Sequence, residues 1–328
     1  MTNISLDTVK SLVNYLTVNG IKRDVILAKI GLTEQKLNQS NQFINACDYE
    51  LLYQLAEQEI PFRNIGFEFG KTIDPDRWGI LGYIAFTAPT LKAALVNQRN
   101  YQTLVGNLGT PLQEFHQGSM VLKWLPAYRC SFHTVEEIIT GWAVMAKSLS
   151  NNTVQPLALY FTHNCHTKEQ EYQDFFECEV NFNSDFNGIK IEQSVLDTAL
   201  TKHNPELHNL LCQHASKMIN NLVEELPIEV ITRFISNQLP LGVPEIEDAA
   251  KNLQMSVRTL QRKLNENQQT FTGLINIIRQ DLATSYLGNT NTKIIYISQM
   301  LGFSEQSAFQ RAFKRWTGKT PKQFRDEC

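Results

Sequence analysis

The sequence predicts an α+β N-terminal domain followed by an all-α C-terminal domain with two helix-turn-helix motifs. Three observations carry this expectation: helical and strand periods mix between Trp78 and about Phe186, the period is purely helical from Val230 onward, and one design occurs twice within that helical part. The length of 328 residues agrees, since domains average roughly 100–200 residues. With 42% hydrophobic and 19% charged residues the chain can bury a core, and it is too apolar for wholesale disorder. The expected boundaries are 1–205 for the α+β domain, 206–229 for a linker helix and 230–328 for the helical domain.

The first 60 residues read as helices. Leu6, Val9, Leu12, Val13 and Leu16 recur on one helical face, and Gly20 stops the run. A second helix is expected from Lys22 to Ile30, stopped by Gly31. A third spans Asp48 to Gln58, with Leu51, Leu52, Leu55 and Ala56 inward and Pro61 beyond its end. In the mixed region, Leu91 to Val105 and Thr134 to Leu149 read as helices. Met120 to Leu125, Leu157 to Thr162 and Ile189 to Glu192 read as strands, whose order is open. From Leu207 to Leu226 an apolar stripe follows helical spacing until Pro227. That stripe fits packing onto its own domain, and it also fits a dimer helix or a strut between domains.

The C-terminal design is a short helix, a tight turn and a second helix with one apolar and one polar face. It occurs at Ile246–Leu264 and again at Ile294–Trp316. Ser256 and Ser304, 48 residues apart, are each placed to cap the second helix by accepting a backbone N–H bond. Leu260 and Leu264, or Phe309 and Phe313, form the buried face. The other face carries Arg258, Thr259, Gln261, Arg262 and Lys263 in the first motif, and Glu305, Gln306, Ser307, Gln310, Arg311, Lys314 and Arg315 in the second. Arg can bond guanine and Gln adenine bidentately, so this clustering suits a helix that reads base edges. Charge agrees: residues 230–328 hold 13 Lys+Arg against 8 Asp+Glu, while the whole chain carries a net −3. Thr270 to Leu287 reads as a rigid connecting helix of about 25 Å, long enough to hold two reading helices near the 34 Å separation of successive major grooves.

This C-terminal segment resembles the DNA-binding domain of the AraC/XylS family of bacterial transcription regulators. Ile297, Gly302, Phe303, Ser304, Ser307, Phe309, Arg311, Phe313, Thr317, Gly318, Pro321 and Phe324-Arg325 carry the pattern, together with the spacing of Arg279, Ala283 and Leu287. The resemblance covers about residues 230–325 and implies that Arg258, Gln261 and Arg262, and Gln306, Ser307, Gln310 and Arg311, face the groove. Gln254 departs from it, standing where the first turn usually has glycine. The N-terminal part looks like the arabinose-binding-type effector domain of the OruR-like branch. Ile65-Gly66-Phe67, Phe69-Gly70, Gly79-Ile80-Leu81-Gly82-Tyr83 and Ala88-Pro89-Thr90-Leu91 carry that looser match. It implies a sensor of small metabolites.

Taken together, these readings give a DNA-binding transcription regulator whose partner is double-stranded promoter or operator DNA. Further partners are a small-molecule effector, RNA polymerase and a second copy of the chain in a homodimer. Trp78, Tyr83, Arg99, Tyr101, Trp124 and Arg129, with His116 and Trp142 nearby in type, offer aromatic walls and cations for an effector bearing a carboxylate. A core role accounts for most of these aromatics as well. The competing reading is a regulator whose N-terminal domain dimerises or binds a protein, with no small ligand.

An enzyme is not expected, because the sequence lacks a Walker loop, G-x-S-x-G, H-E-x-x-H and the dinucleotide G-x-G-x-x-G. Gly66, Gly70, Gly79 and Gly82 read as turn and packing glycines. No cofactor and no metal are expected. His163, Cys165 and His166 do not share one strand face, and the six cysteines are widely spaced, as thiols in a reducing cytoplasm are. The longest strongly apolar window, Gly79 to Phe86, falls short of the roughly 18–20 residues that span a membrane. The expected location is therefore cytoplasmic, without membrane contact.

Overall fold

A computed structural model of the chain describes residues 2–39, 42–61, 64–72, 74–221, 227–253, 255–290 and 292–327. It falls into two compact units, Met1–Pro126 with Cys130–Ile219, and Ala127–Arg129 with Asn220–Cys328.

In the first unit, β1 (Asn3–Ser5) precedes α1 (Leu6–Val18), which Ser5 caps by accepting a bond from the Thr8 backbone N–H. The helices α2 (Arg23–Lys29) and α3 (Glu34–Leu37) follow, then β2 (Phe43–Asn45), which pairs antiparallel with β1, and α4 (Ala46–Glu59). The expected apolar face of α1 is buried against Ile26, Leu27, Leu52 and Leu55 in one helical core. Next come α5 (Ile65–Gly70), a 3-10 turn at Pro75–Trp78, α6 (Gly79–Thr87) and α7 (Leu91–Tyr101). The expected helix to Val105 ends at Tyr101, and a 3-10 turn occupies Gln102–Leu104.

A five-stranded sheet follows, from β3 (Gly109–His116), β4 (Ser119–Pro126), β5 (Ala158–Tyr160), β6 (Glu179–Asn181) and β7 (Asn187–Glu192), in the order β3-β4-β7-β5-β6. Only β5 and β6 run parallel. Between β4 and β5 lies α8 (Phe132–Leu149), capped by Ser131, and α9 (Glu169–Phe176) lies between β5 and β6. Met120, Leu122 and Trp124 alternate along β4 and point into one core with Ile139 and Ala143 of α8. Gly66 and Gly70 let α5 approach α8 closely: a Cβ on Gly66 would fall 2.2 Å from the His133 carbonyl oxygen. That is the packing role expected of these glycines. The unit ends in α10 (Pro205–Asn221). The expected continuation of that helix through Leu222, Val223 and Leu226 lies outside the described residues.

The second unit is helical throughout its described elements: α11 (Pro227–Gln238), α12 (Ile246–Asn252), α13 (Val257–Glu266), α14 (Phe271–Asn289), α15 (Ile294–Met300), α16 (Gln306–Thr317) and α17 (Pro321–Asp326). The α+β then all-α architecture expected from the sequence is the one observed. Ile231, Ile235, Leu260, Leu264, Leu274 and Ile278 make the core around the first motif. Ile297, Leu301, Phe309 and Phe313 are buried in the second. No helix among the described residues is long and apolar enough to cross a membrane.

Candidate functional site

The two repeated designs fold as two helix-turn-helix motifs, α12–α13 and α15–α16, joined by α14. In α13 Leu260 and Leu264 are buried, while Arg258, Gln261 and Arg262 are exposed at i, i+3 and i+4 and so share one face. Thr259 and Lys263 flank that stripe half-buried. Ser256 caps α13, accepting from the Thr259 N–H at 3.1 Å. Arg262 lies 3.6 Å from Glu266 one turn on. Gln254, the departure in the first turn, lies outside the described residues.

In α16 Phe309 and Phe313 are buried, and Ser307, Gln310, Arg311 and Lys314 are exposed along one stripe, with half-buried Gln306 at the helix start. Ser304 does not cap this helix. The helix begins at Gln306, so the cap position falls on Glu305, and exposed Ser304 stands one residue too early for its hydroxyl to meet the first free N–H groups. Ser307 instead donates its hydroxyl to Glu305 at 3.0 Å.

The turn before α16 is clamped by a residue that sequence reasoning placed only as spacing. Arg279 of α14 donates from Nε to the Leu301 carbonyl at 2.7 Å and from Nη2 to the Gly302 carbonyl at 2.9 Å. Its guanidinium also lies 4.2 Å above the Phe303 ring. Gly302 has φ +69°, and a Cβ there would fall 2.8 Å from the Leu239 carbonyl oxygen, so both backbone angle and space require glycine. At the C-terminal end, Arg325 donates to the Thr292 carbonyl at 2.6 Å and holds α17 against the segment entering α15.

The N-terminal unit contains a cavity of about 110 Å³ between the sheet and α6, α7 and α8. Trp78, Leu81, Ala94, Gln98, Met120, Leu122, Trp142, Met145 and Ile189 are among its walls. Of the six residues expected to hold an effector, only Trp78 lines it. Trp124 is buried in the sheet core. Tyr83 is 43% exposed and donates its hydroxyl to Asp76. Arg129 is exposed on the loop after β4, and Arg99, whose Nε is buried without a hydrogen-bond partner, does not line the cavity. Tyr101 donates to the Cys212 carbonyl of α10 at 3.3 Å. The cavity walls were missed because a search for aromatics beside cations selects the aromatic core. The usable signal was small residues, Ala94, Ala143 and Ala146, at helix positions facing large apolar ones.

The Arg77 guanidinium, 5.0 Å above the Trp78 ring, belongs to a buried ionic network. Arg77 pairs with Glu137 of α8 at 2.6 Å and lies 4.1 Å above the Phe69 ring. Tyr49 and Tyr53 of α4 donate to the same carboxylate at 2.9 and 2.5 Å. Beside it Glu136 accepts from Tyr172 at 2.8 Å and from Asn64, and lies 3.5 Å from His163 Nε2. Burial pushes the Glu136 carboxyl up to about 8 and pulls the His133 and His163 imidazoles down to about 4. The described residues include no cluster of three or more metal-ligating side chains.

Fold and paired motifs define the class: a regulator that binds DNA through two helix-turn-helix motifs on one chain. A family model for the arabinose-binding N-terminal domain of AraC transcription regulators matches residues 20–200, and a helix-turn-helix domain model matches residues 249–327. The chain belongs to the AraC family of transcription regulators. It is 22% identical to the ornithine utilization regulator of Pseudomonas aeruginosa over 321 residues, covering 97% of this chain and 94% of that protein. It is 25% identical to the HTH-type transcriptional regulator VqsM of the same species over 274 residues, covering 80% and 83%. Among solved structures it is similar to the transcriptional regulator CdpR of P. aeruginosa, with a TM-score of 0.43 and 17% identity over 92% of this chain and 96% of that one.

Proposed function

We propose that α13 and α16 enter successive major grooves of a promoter or operator and that a small organic effector, bound by the N-terminal unit, sets the affinity of that contact. The observation that carries the DNA part is the pair of exposed Arg/Gln stripes opposite buried apolar faces. Arg258, Gln261 and Arg262 in the first motif, and Gln306, Ser307, Gln310 and Arg311 in the second, are assigned to base edges. Ser256, Thr259, Lys263, Ser304 and Lys314 are assigned to the flanking backbone, where phosphate contacts fix register. Labour divides as sensing in 1–205, connection in 206–229 and DNA binding in 230–328, in a cytoplasmic protein that contacts RNA polymerase at its promoters.

Effector control is supported by the position of α7. One side of it lines the cavity with Leu91, Ala94, Leu95 and Gln98, and another meets α10 through Asn97 and Tyr101. A ligand that shifts α7 therefore acts on the helix leading out of the unit. Its effect on DNA binding is bounded by its differential affinity for the two arrangements, typically about 1–3 kcal/mol or 5–150-fold. A thermal-shift screen of small metabolites on the full chain, followed by operator titration with each hit, tests this. A hit that changes operator affinity within that range supports it, and hits that leave affinity unchanged overturn it. The expectation of a carboxylate rested on Arg99 and Arg129, neither of which lines the cavity.

A second reading, in which the N-terminal unit forms a homodimer or binds a protein, is favoured by α10. Leu207 and Leu210 are 44% and 58% exposed there. Sedimentation of the full chain at micromolar concentration separates the two, since a dimer that L210E dissolves supports this reading.

A further inference from the structure

The cavity walls are apolar almost without interruption. Trp78, Met120, Leu122, Trp142 and Met145 supply ring, thioether and aliphatic surface, and Gln98 is the one amide among the described lining residues. None of the described lining residues carries a charge. A sugar placed here would bring several hydroxyls against one amide, and each unmatched hydroxyl lowers affinity by roughly tenfold or more. An amino acid would bring two or three charges into a space with no counter-ion, which is worse. The size is restrictive too: an enclosed apolar cavity of about 150 Å³ takes one benzene ring, and this one, about 110 Å³ and open on one side, takes one small ring or short chain whose end reaches the mouth.

Resting on the sensing function proposed above, we infer that the effector of this protein is an uncharged, predominantly apolar molecule. Its size is that of one small ring or a short hydrocarbon chain, with at most one hydrogen-bonding group, directed at Gln98. The site thus takes a ligand class unlike the sugar named in the family description or the amino acid named for one relative. Trp78 and Trp142, standing in the wall, make occupancy visible in the protein's own fluorescence.

The probes are toluene, hexan-1-ol, hexanoate, L-arabinose, L-ornithine and pyrene, added to the full chain and followed by tryptophan fluorescence and thermal melting at pH 7.5. Toluene and hexan-1-ol are expected to bind, hexanoate at least tenfold more weakly than hexan-1-ol, and arabinose, ornithine and the oversized pyrene not at all. Gln98→Leu is expected to keep toluene and weaken hexan-1-ol. Ala143→Leu, which fills the cavity, is expected to weaken toluene at least tenfold with native helix content. If that variant does not fold, the wild-type series decides alone. Arabinose, ornithine or hexanoate binding as tightly as hexan-1-ol, or no probe binding, overturns the inference. A polar compound that binds and shifts operator affinity overturns it while leaving effector control standing. An apolar probe that binds without changing operator affinity bears out the ligand class of the cavity and overturns effector control instead, the bound molecule then being a ligand and not an effector.

Discussion

Arg77 is 1% exposed, and its guanidinium pairs with Glu137, donates to the carbonyl oxygens of Phe69 and Glu137 and lies over the Phe69 and Trp78 rings. Removing one partner of a buried ion pair strands the other, at a cost of about 3–5 kcal/mol. Arg77→Ala is therefore expected to lower the urea midpoint of the N-terminal unit by an amount equivalent to that loss, read by tryptophan fluorescence. A change under 1 kcal/mol would mean that Glu137 is adequately satisfied by Tyr49 and Tyr53 alone. On the DNA side the same scale gives a different kind of loss. Arg262→Ala and Arg311→Ala each remove an exposed guanidinium and should leave stability unchanged, while weakening operator binding by about 1–3 kcal/mol and relaxing the preference at one base pair. Competition against random DNA separates the cases, because equal weakening on both would reassign the residue to phosphate. The exposed and buried faces of α13 and α16 were legible in the sequence because Arg and Gln sit at fixed offsets from Leu or Phe. Arg77 was not, since nothing in a linear pattern distinguishes an arginine that will be buried from one that will be solvated.

Helix ends show where local pattern reaches its limit. Ser256 and Ser304 occupy the same place in the repeated design, yet Ser256 caps α13 and Ser304 lies outside the cap of α16. Ser256→Ala is expected to cost about 1 kcal/mol of C-terminal stability and Ser304→Ala close to nothing, measured by thermal unfolding of the two variants. Equal losses would place the cap of α16 one residue earlier. The long helices and β4 and β7 could be read from periodicity, whereas α5, α9 and β6 could not, being short and held by tertiary partners. Gly66 and Gly70 were legible as packing glycines and α8 as a helix, but that these glycines pack against α8 was not. The polar cluster joining α4, α5, α8 and α9 gives this part of the unit a pH dependence. Glu136 keeps its proton in the folded state to about pH 8, so it destabilises the fold progressively as pH rises from 4.5 to 8. His133 and His163 stay neutral down to about 4, so their contribution is lost as pH falls from 6.5 to 4. Stability of the N-terminal unit should therefore peak near pH 6.5 and fall on both sides, and Glu136→Gln should flatten the alkaline limb and steepen the acid limb between pH 4.5 and 6.5. A melting temperature that climbs steadily from pH 6.5 to 8 would contradict the buried, protonated carboxyl.

At the scale of the whole molecule, one chain carries two helix-turn-helix motifs, and on the proposed function it needs no symmetric partner to reach two grooves. The length of α14, 19 residues or about 28 Å, suits that span, and Arg279 and Arg325 fix the second motif to it and to α17. The paired motifs were legible because a repeat tests itself: two copies of one pattern exclude chance more firmly than either copy alone. The cavity was not legible, since its walls come from α6, α7, α8, β4 and β7, and only the fold brings them together. The most direct test of the two-groove account is methylation interference at guanine N7 on an operator selected from random DNA, at one chain per site. Two patches of interference about 10 base pairs apart on one face of the duplex are expected, the Arg262→Ala variant losing one patch and Arg311→Ala the other. A single patch, or loss of both with either variant, would contradict it.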